Sequence, residues 1–402
     1  MNPKAFGPIP PEFRDLSALP WLDEATPAYV YDFDIIAARI ARLRAALPTK
    51  VAVHYAIKAN PLQALLAAIA PLVDGLDVAS AGEMDKALDV MAAGAISFAG
   101  PGKRDAEIEL AIRAGVTLNV ESESEGQRAL AIGGQLGMRP RLAVRVNPDF
   151  ELRGSGMKMG GRASPFGVEA AHVAGLVKRL IIGGAEWRGL HIFAGSQALD
   201  PAAVIETQAA TVALAARIAE EARRAPPLVN LGGGFGIPYF LGDVSLDVEA
   251  IGAALAGELD QLDTNYAIEL GRWLVGEAGV YLARVVDRKV SQGETFLIVD
   301  GGLNHHLAAT GNFGTVVRRN YPVAVAHRMQ DPPEEIVTIV GPLCTPLDRL
   351  ADRVALPRAN VGDVIAVFAS GAYGASASPS AFLGHPPARE LLVGAPAGPG
   401  HA

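Results

Sequence analysis

The chain has 402 residues, 50% of them hydrophobic, so it is long enough to bury a large core and to form two domains. A net charge of −8 without a basic run argues against a nucleic-acid partner, and a single cysteine excludes an internal disulfide and a cysteine-rich zinc site. We expect no metal. An N-terminus without an apolar signal core, and the lack of a long uncharged apolar span, favour a cytoplasmic protein that contacts no membrane.

A short strand is predicted at residues 28–31, before a longer regular pattern begins. That pattern consists of eight short apolar segments with strand character, at residues 51–57, 75–78, 96–99, 117–120, 141–146, 187–193, 228–231 and 266–270. Alanine-rich amphipathic stretches of helical length lie between them, among them residues 61–72, 82–93, 122–136, 169–180 and 201–223. Strict alternation of strand and helix indicates a parallel sheet, and eight units favour a closed (β/α)8 barrel of the TIM type.

Polar residues cluster at the predicted strand ends. Such residues would converge in a barrel, because barrel enzymes build their active sites from the loops at the carboxyl ends of the strands. Those that follow a strand are Lys58, Asn60, Ser80, Glu121, Asn147, Ser196, Gln197, Gly271 and Arg272, and those inside a strand near the same end are Asp77, Arg145, His191 and Glu269.

Lys58 closes a run of apolar and aromatic residues that predicts a buried strand. A desolvated lysine loses its proton more easily, and a neutral amine can form a Schiff base with pyridoxal 5'-phosphate (PLP). The alternative is a lysine at a strand end whose ammonium extends into solvent.

A glycine cluster, Gly232-Gly-Gly-Phe-Gly236, follows the seventh predicted strand. Glycines allow backbone amides to approach an anion closely, and barrels commonly bind phosphate after their seventh and eighth strands. The cluster does not match the dinucleotide-binding fingerprint, since Ile237 and Pro238 follow it without a helix start. The alternative is a simple turn.

Beyond about residue 276 the alternation is replaced by strands and turns, with strands predicted at 279–290, 294–299, 335–340 and 363–368. We therefore predict an α/β protein with a second, β-rich domain that resembles a sandwich or barrel. The expected division is an N-terminal segment, 1–32, that joins the β-rich domain, a PLP-binding barrel at 33–275, the β-rich domain at 276–393, and a disordered tail at 394–402.

Eight motifs occur in one order along nearly the whole chain, and together they resemble the fold-type III PLP-dependent decarboxylases, the family of diaminopimelate and ornithine decarboxylases. The motifs are Tyr55-Ala-Ile-Lys-Ala-Asn60, Asp77-Val-Ala-Ser80, Arg145-Val-Asn-Pro148, His191 with Gly195-Ser-Gln197, Gly232-Gly-Gly-Phe-Gly236, Glu269-Leu-Gly-Arg272, Gly341-Pro-Leu-Cys-Thr-Pro-Leu-Asp348 and Gly371-Ala-Tyr-Gly374.

The resemblance implies a role for each residue. Lys58 would hold PLP covalently, His191 would stack on the ring, and Glu269 would face the pyridine nitrogen. Cys344 would protonate the product carbanion from the second subunit of a homodimer; the alternative is a small buried hydrophobe. The phosphate would be bound by Ser196, Gly234, Gly236, Arg272 and Tyr373, with Asp77, Arg145, Gly233 and Gly271 also near the cofactor, and Thr345, Asp348 and Tyr373 would contact substrate beside Cys344.

Four departures from the family pattern concern the substrate. Thr345 replaces a common glutamate, Pro165 replaces a common lysine, residues 375–385 replace a Tyr-Asn loop, and the His-Ile/Val-Gly-Ser motif is expanded to His191-Ile-Phe-Ala-Gly-Ser196. With these departures the sequence resembles a subgroup of the family from secondary-metabolite and exopolysaccharide gene clusters. The subgroup includes exosortase-associated enzymes and decarboxylases of glutamate tethered to a carrier protein.

We therefore expect decarboxylation of an amino acid or of a carrier-tethered aminoacyl substrate. The alternatives are diaminopimelate decarboxylation, a PLP-dependent racemase, which would need a tyrosine base opposite the lysine, and a non-catalytic PLP-binding protein, which is usually a lone barrel.

Overall fold

A computed structural model describes residues 2–13, 16, 26–154, 156–158, 161, 163–311 and 319–394. The strands are β1 Ala28–Asp32, β2 Val51–Ala56, β3 Gly75–Val78, β4 Ile96–Phe98, β5 Thr117–Val120, β6 Arg141–Asn147, β7 Met157–Lys158, β8 Val168–Glu169, β9 Glu186–Ile192, β10 Gly195–Ser196, β11 Leu228–Asn230, β12 Asn265–Leu270, β13 Gly279–Ser291, β14 Glu294–Val299, β15 Val323–Val325, β16 Glu335–Val340, β17 Arg349–Leu356, β18 Val364–Val367 and β19 Arg389–Val393. The helices are α1 Phe33–Ala46, α2 Gln63–Ile69, α3 Ala81–Leu88, α4 Asp105–Ala114, α5 Glu123–Leu136, α6 Ala170–Ile182, α7 Pro201–Ala222, α8 Val248–Glu258 and α9 Arg272–Val275.

The chain divides into two compact units. The β-rich unit comprises Met1–Ile36, Ile237–Val244 and Arg272–Ala402, and the barrel unit comprises Ala37–Gly236 and Ser245–Gly271. The chain passes between the two units more than once, because residues 237–244 leave the barrel unit and the chain returns to it at residue 245.

The barrel unit is a closed parallel barrel. Its strands follow one another in the order β2, β3, β4, β5, β6, β9, β11 and β12, and β12 pairs with β2 to close the ring. The short strand β8 pairs with the last two residues of β6, Val146 and Asn147. This confirms the (β/α)8 prediction, and it places the carboxyl ends of all eight strands at one rim.

Local signals define the barrel helices. The side chains of Ser80 and Ser122 accept hydrogen bonds from backbone amides in the first turns of α3 and α5, as N-cap residues do. Gly115 and Gly137 end α4 and α5 in the left-handed conformation, where glycine carries no steric penalty. These caps fix the points at which the chain turns back toward the next strand.

Helix α7 is, by length and composition alone, long and apolar enough to cross a membrane. Half of its most apolar window is buried inside the protein, and it packs against α6 and α8. Its apolar character is that of a helix that covers the outside of a barrel.

The β-rich unit is built on one eight-stranded, mostly antiparallel sheet. Its strands run in the order β15, β18, β13, β14, β16 and β17, while β1 pairs with β13 and with β19. A buried cluster packs on this sheet and includes Phe13, Val30, Leu282 and Phe368. This confirms the predicted β-rich second domain. The predicted tail at 394–402 lies, apart from Gly394, outside the described residues.

Candidate active site

The strand register brings the predicted polar side chains together inside the barrel. His191 of β9 lies beside both Arg145 of β6 and Asn230 of β11. Glu269 of β12 lies beside His54 of β2. All five residues are buried. Chemically active groups far apart in sequence therefore occupy neighbouring positions in one parallel sheet.

Glu269 is a buried carboxylate surrounded by positive charge. Its Oε2 lies 3.1 Å from Nε2 of His191, and Nδ2 of Asn230 donates to the same oxygen at 3.2 Å. Burial raises the pKa of Glu269, but interactions with His191, Lys58 and Arg145 outweigh it and hold the pKa below its usual range. The barrel therefore presents an ionised carboxylate that can pair with a protonated ring nitrogen.

Asp77, predicted to lie near the cofactor, pairs with a histidine that the sequence analysis did not single out. Nδ1 of His54 lies 3.2 Å from Oδ2 of Asp77, and both side chains are buried. Burial lowers the pKa of His54, but the Asp77 carboxylate outweighs it and leaves the pKa raised. His54 and Asp77 therefore form a second close pair of titratable side chains inside the barrel.

Arg145 is held by Glu121. Nη1 of Arg145 donates to Oε1 of Glu121 at 2.8 Å, and the guanidinium lies 5.0 Å from the centre of the Phe166 ring. Glu121 also accepts hydrogen bonds from the backbone amides of Gly100 and Gly167. One carboxylate therefore connects two loops to Arg145. Burial raises the pKa of Glu121. Arg145 and the other groups nearby lower the pKa by a larger amount, so the net shift is downward.

Lys58 lies at the barrel rim, but it is not the buried strand lysine that the sequence pattern suggested. Strand β2 ends at Ala56, and Lys58 sits in the following 3-10 turn, Ile57–Ala59, with an exposed side chain. The reason is that the turn rotates the lysine out of the strand, while Ile57 and Ala59 on either side stay buried. Its Nζ lies 5.6 Å from the centre of the Phe193 ring. Gly271 packs on this turn, since a β-carbon there would lie 2.8 Å from that of Ala59.

The glycine loop at 232–236 leaves no room for side chains. Gly234 has a φ of +88°, and a β-carbon there would lie 2.2 Å from the carbonyl oxygen of Gly195. A β-carbon on Gly233 would lie 1.9 Å from the carbonyl oxygen of Glu269. The glycines are required because the loop presses against the backbone that follows β9 and against the end of β12.

Some backbone amides of this loop donate hydrogen bonds within the protein and others do not. The amide of Gly236, predicted to bind phosphate, instead donates to the carbonyl oxygen of Ala198 at 2.8 Å. The amide of Gly232 donates to Oδ1 of Asn230 at 2.8 Å. The amides of Gly233 and Gly234 have no acceptor among the described residues, so they are available to an anion.

In the β-rich unit, Arg272 is a cation surrounded by phenols. Its guanidinium carbon lies 4.6 Å from the centre of the Tyr373 ring and 5.4 Å from that of Tyr239, and Nη1 donates to the Tyr239 hydroxyl at 2.7 Å. Its buried Nε has no hydrogen-bond partner, and no carboxylate of the described residues forms an ion pair with it. A cation held in this way is suited to bind an anion.

The segment that carries Cys344 is fixed by Asp348. Cys344 is exposed, so it is not the small buried hydrophobe considered as an alternative. Asp348 is 2% exposed, and its two oxygens accept the backbone amides of Leu303 at 2.6 Å and Leu343 at 2.8 Å. Burial raises the pKa of Asp348 despite these hydrogen bonds. Both oxygens are thus engaged by backbone.

Three hydrogen-bond partners of predicted residues were missed by sequence reasoning: His54, Asn230 and Tyr239. A signal existed for Asn230, because an asparagine two residues before a turn glycine commonly accepts its amide. His54 and Tyr239 carried no local signal, since their partners Asp77 and Arg272 lie more than twenty residues away in sequence.

Comparisons with known proteins identify the family to which the chain is similar. Residues 33–279 match the pyridoxal binding domain of the pyridoxal-dependent decarboxylases. The chain is similar to the L-glutamyl-(BtrI acyl-carrier protein) decarboxylase of Niallia circulans, with 36% identity over 91% of this chain and 88% of that protein.

The chain also aligns with two further proteins over most of their length. A Staphylococcus aureus decarboxylase of 2-((L-alanin-3-ylcarbamoyl)methyl)-2-hydroxybutanedioate is 31% identical over 89% of this chain and 92% of that protein. The crystal structure of diaminopimelate decarboxylase from Helicobacter pylori, complexed with L-lysine, superimposes with a TM-score of 0.83 at 28% identity, over 92% of each chain.

Proposed function

This chain belongs to the pyridoxal-dependent decarboxylases, and from that premise we propose that Lys58 carries the PLP on which an amino acid loses its α-carboxylate as carbon dioxide. When bound, PLP supplies an aldehyde that links to amines and a ring that withdraws electrons. The observation that carries the proposal is the position of Lys58, which lies on the barrel rim one strand away from the ionised Glu269.

The donor set fits each part of PLP. The unused amides of Gly233 and Gly234 are suited to a phosphate dianion. Arg272 stays a proposed phosphate ligand because of the family resemblance. Glu269 keeps the pyridine nitrogen protonated. His191 offers a buried ring whose Nδ1 has no hydrogen-bond partner among the described residues. Ser196 and Tyr373 remain proposed phosphate ligands, and Gly236 instead braces the loop.

We assign protonation of the product carbon to Cys344, whose exposed thiol is available to a neighbouring molecule. The active unit is a homodimer in which the Cys344 of one subunit serves the Lys58 site of the other. The family resemblance supports this arrangement, and Cys344 is far from Lys58 in sequence. The enzyme acts in the cytoplasm, apart from membranes.

The substrate is an amino acid whose distal end is joined to a larger group. Decarboxylation on PLP uses the α-amine and removes the α-carboxylate, so a tethered substrate must be attached through its side chain. The names of two relatives fit this pattern: one acts on carrier-linked L-glutamyl, and the other on an alanine joined at its third carbon through a carbamoyl group.

The Cys344 segment supports a neutral distal end. Diaminopimelate ends in an ammonium and a carboxylate, and a buried charge of this kind must be paired. Residues 341–348 contain one acidic side chain, Asp348, and both of its oxygens accept backbone amides. Thr345, which follows Cys344, has no charge; its Oγ1 accepts the amide of Leu347 at 3.3 Å. The segment therefore offers no free carboxylate to a distal ammonium.

Measuring carbon dioxide release decides the substrate. Carrier-linked L-glutamate is the first substrate to try, beside free glutamate, diaminopimelate, lysine, ornithine and arginine. We expect carrier-linked glutamate to give the highest kcat/KM. A kcat/KM for free diaminopimelate of about 10⁴ M⁻¹s⁻¹ or above would show that the enzyme belongs to lysine biosynthesis instead.

The substitution Thr345→Glu tests the same proposal, that the substrate has a neutral distal end. The substitution restores the acid that diaminopimelate decarboxylases usually carry at this position. We expect it to raise the ratio of diaminopimelate to carrier-linked glutamate turnover by about tenfold. A ratio that falls or stays constant would remove Thr345 from substrate choice.

A further inference from the structure

Asn230 uses both ends of its side-chain amide inside the barrel. Its Nδ2 donates to Oε2 of Glu269 at 3.2 Å, and its Oδ1 accepts the backbone amide of Gly232 at 2.8 Å. The residue is 5% exposed. One side chain therefore links the carboxylate on β12 to the first residue of the glycine loop.

The backbone makes the same connection a second time. The amide of Glu269 donates to the carbonyl oxygen of Gly232 at 2.8 Å. The backbone of Gly233 lies so close to the Glu269 carbonyl that a β-carbon would approach it to 1.9 Å. The main chain of the loop is thus held by the backbone of Glu269. The hydrogen bond from Asn230 also connects the loop to the Glu269 side chain.

Asn230 also borders a cavity of about 200 Å³ toward the amino ends of the barrel strands, which it shares with His54, Ser97 and Asn119. Its side chain is therefore not packed on every side, and the two hydrogen bonds contribute to its orientation.

We propose that Asn230 is a positioning residue that keeps two anchors of PLP in register: the carboxylate that faces the pyridine nitrogen and the loop that binds the phosphate. Its amide N–H sets the rotation of the Glu269 carboxylate. Its carbonyl oxygen sets the conformation of Gly232, and therefore the direction of the free amides at Gly233 and Gly234.

Two substitutions separate these two effects. A serine at a turn start also accepts the amide two residues ahead, so Asn230→Ser keeps an acceptor for Gly232. It is too short to replace the N–H that reaches Glu269. Asn230→Ala removes both hydrogen bonds.

The readouts need no substrate. The apoprotein of each variant is titrated with PLP and with pyridoxal, which lacks the phosphate, and the ratio of the two dissociation constants measures the phosphate anchor. The absorption spectrum of bound PLP reports on the pyridine nitrogen, with Glu269→Gln as the reference for a disturbed carboxylate.

We expect Asn230→Ser to shift the spectrum in the direction of Glu269→Gln while its preference for PLP over pyridoxal stays within about twofold of the unsubstituted protein. Asn230→Ala should shift the spectrum and also reduce that preference by about tenfold. If Asn230→Ala fails to fold, the spectrum and preference of Asn230→Ser still decide the question.

A buried asparagine elsewhere in the barrel is the control. Asn119 faces the same cavity, but its Nδ2 donates to Ser97. Asn119→Ser should keep the spectrum and the preference of the unsubstituted protein. The proposal is overturned by an unchanged spectrum in both Asn230 variants, by equal losses of PLP and pyridoxal affinity, or by the same shift in Asn119→Ser.

Discussion

At the scale of single residues, we expect catalysis to depend on the negative charge of Glu269. Glu269→Gln keeps the shape of the side chain and removes the charge that we propose to stabilise a protonated pyridine nitrogen. We predict a kcat lowered by about 10- to 1000-fold, equivalent to about 1.4 to 4 kcal/mol of transition-state stabilisation, with PLP still bound. Steady-state kinetics and the absorbance of bound PLP measure both quantities. An unchanged kcat with PLP bound would remove Glu269 from this role.

The hydroxyl of Tyr239 accepts a hydrogen bond from Arg272, the arginine that we propose to bind the phosphate. Tyr239→Phe keeps the ring beside Arg272 and removes the oxygen that accepts from Nη1 at 2.7 Å. Because a hydrogen bond to a charged group contributes about 1.5 kcal/mol or more, PLP affinity should fall about tenfold. Pyridoxal is the control ligand, and its affinity should not change. Equal losses for both ligands would show that Tyr239 does not act on the phosphate.

Residue types were easier to predict than residue environments. The sequence pattern indicated Lys58, His191 and Glu269 because reactive groups at strand ends stand out against apolar segments. It misjudged the burial of Lys58, since the 3-10 turn that exposes it has no distinct composition. It also missed that the Gly236 amide donates to the carbonyl oxygen of Ala198, because hydrogen bonding within a loop depends on distant backbone.

At the scale of elements, the Cys344 segment depends on one buried carboxylate. Asp348→Asn leaves one oxygen to accept backbone amides, so either the Leu303 or the Leu343 amide loses its partner, at a cost of about 1 to 3 kcal/mol. We expect kcat to fall because the thiol loses its position, while PLP affinity stays constant. The exposed Asp263→Asn is the control and should behave as the unsubstituted enzyme. A normal kcat for Asp348→Asn would show that the segment needs no such anchor.

The β-rich unit should lose stability in acid because of His306. This ring is fully buried beside Ser370, and burial lowers its pKa to about 3. The unfolded chain takes up a proton near pH 6.5 and the folded chain does not, so the stabilisation is complete above pH 6.5 and declines as the pH falls toward 3. Between pH 6.5 and 5 the free energy of unfolding should drop by about 2 kcal/mol.

Urea unfolding of the full chain at both pH values, monitored in the β-rich unit, measures this drop. The variant His306→Gln has no titrating ring, so its loss over the same interval should be smaller by about the same 2 kcal/mol. An equal acid sensitivity in the variant would assign the effect to other groups.

Regular elements were predictable in proportion to their length and periodicity. The bounds of β3, β5 and β14 match their predicted segments, because each is a short apolar run between clear breaks. The strands β15, β17 and β19 were not predicted. Of these, β15 is three residues long, and β17 and β19 contain charged residues that obscure the apolar pattern.

At the scale of the whole molecule, composite sites in a homodimer can be tested by mixing two inactive variants. Lys58→Ala lacks the cofactor lysine and Cys344→Ala lacks the thiol. Hybrid dimers would contain one site with both residues intact, so part of the activity should return after subunit exchange. If exchange is demonstrated and no activity returns, the two residues do not serve one site across an interface.

The barrel and the second domain were predictable because alternation repeats over eight units and then stops. The assignment of segments to units was harder to foresee. Residues 237–244 belong to the β-rich unit although they lie between two barrel strands, since contacts distant in sequence decide such membership.

Reduction of the purified protein with borohydride, followed by peptide mapping, tests the central claim most directly. Borohydride fixes PLP to the amine that carries it, and we predict that the pyridoxyl group is found on the peptide that contains Lys58. The Lys58→Ala variant should carry no label and show no turnover. A pyridoxyl group on any other lysine of the unsubstituted protein would contradict the assignment of the active site to this rim of the barrel.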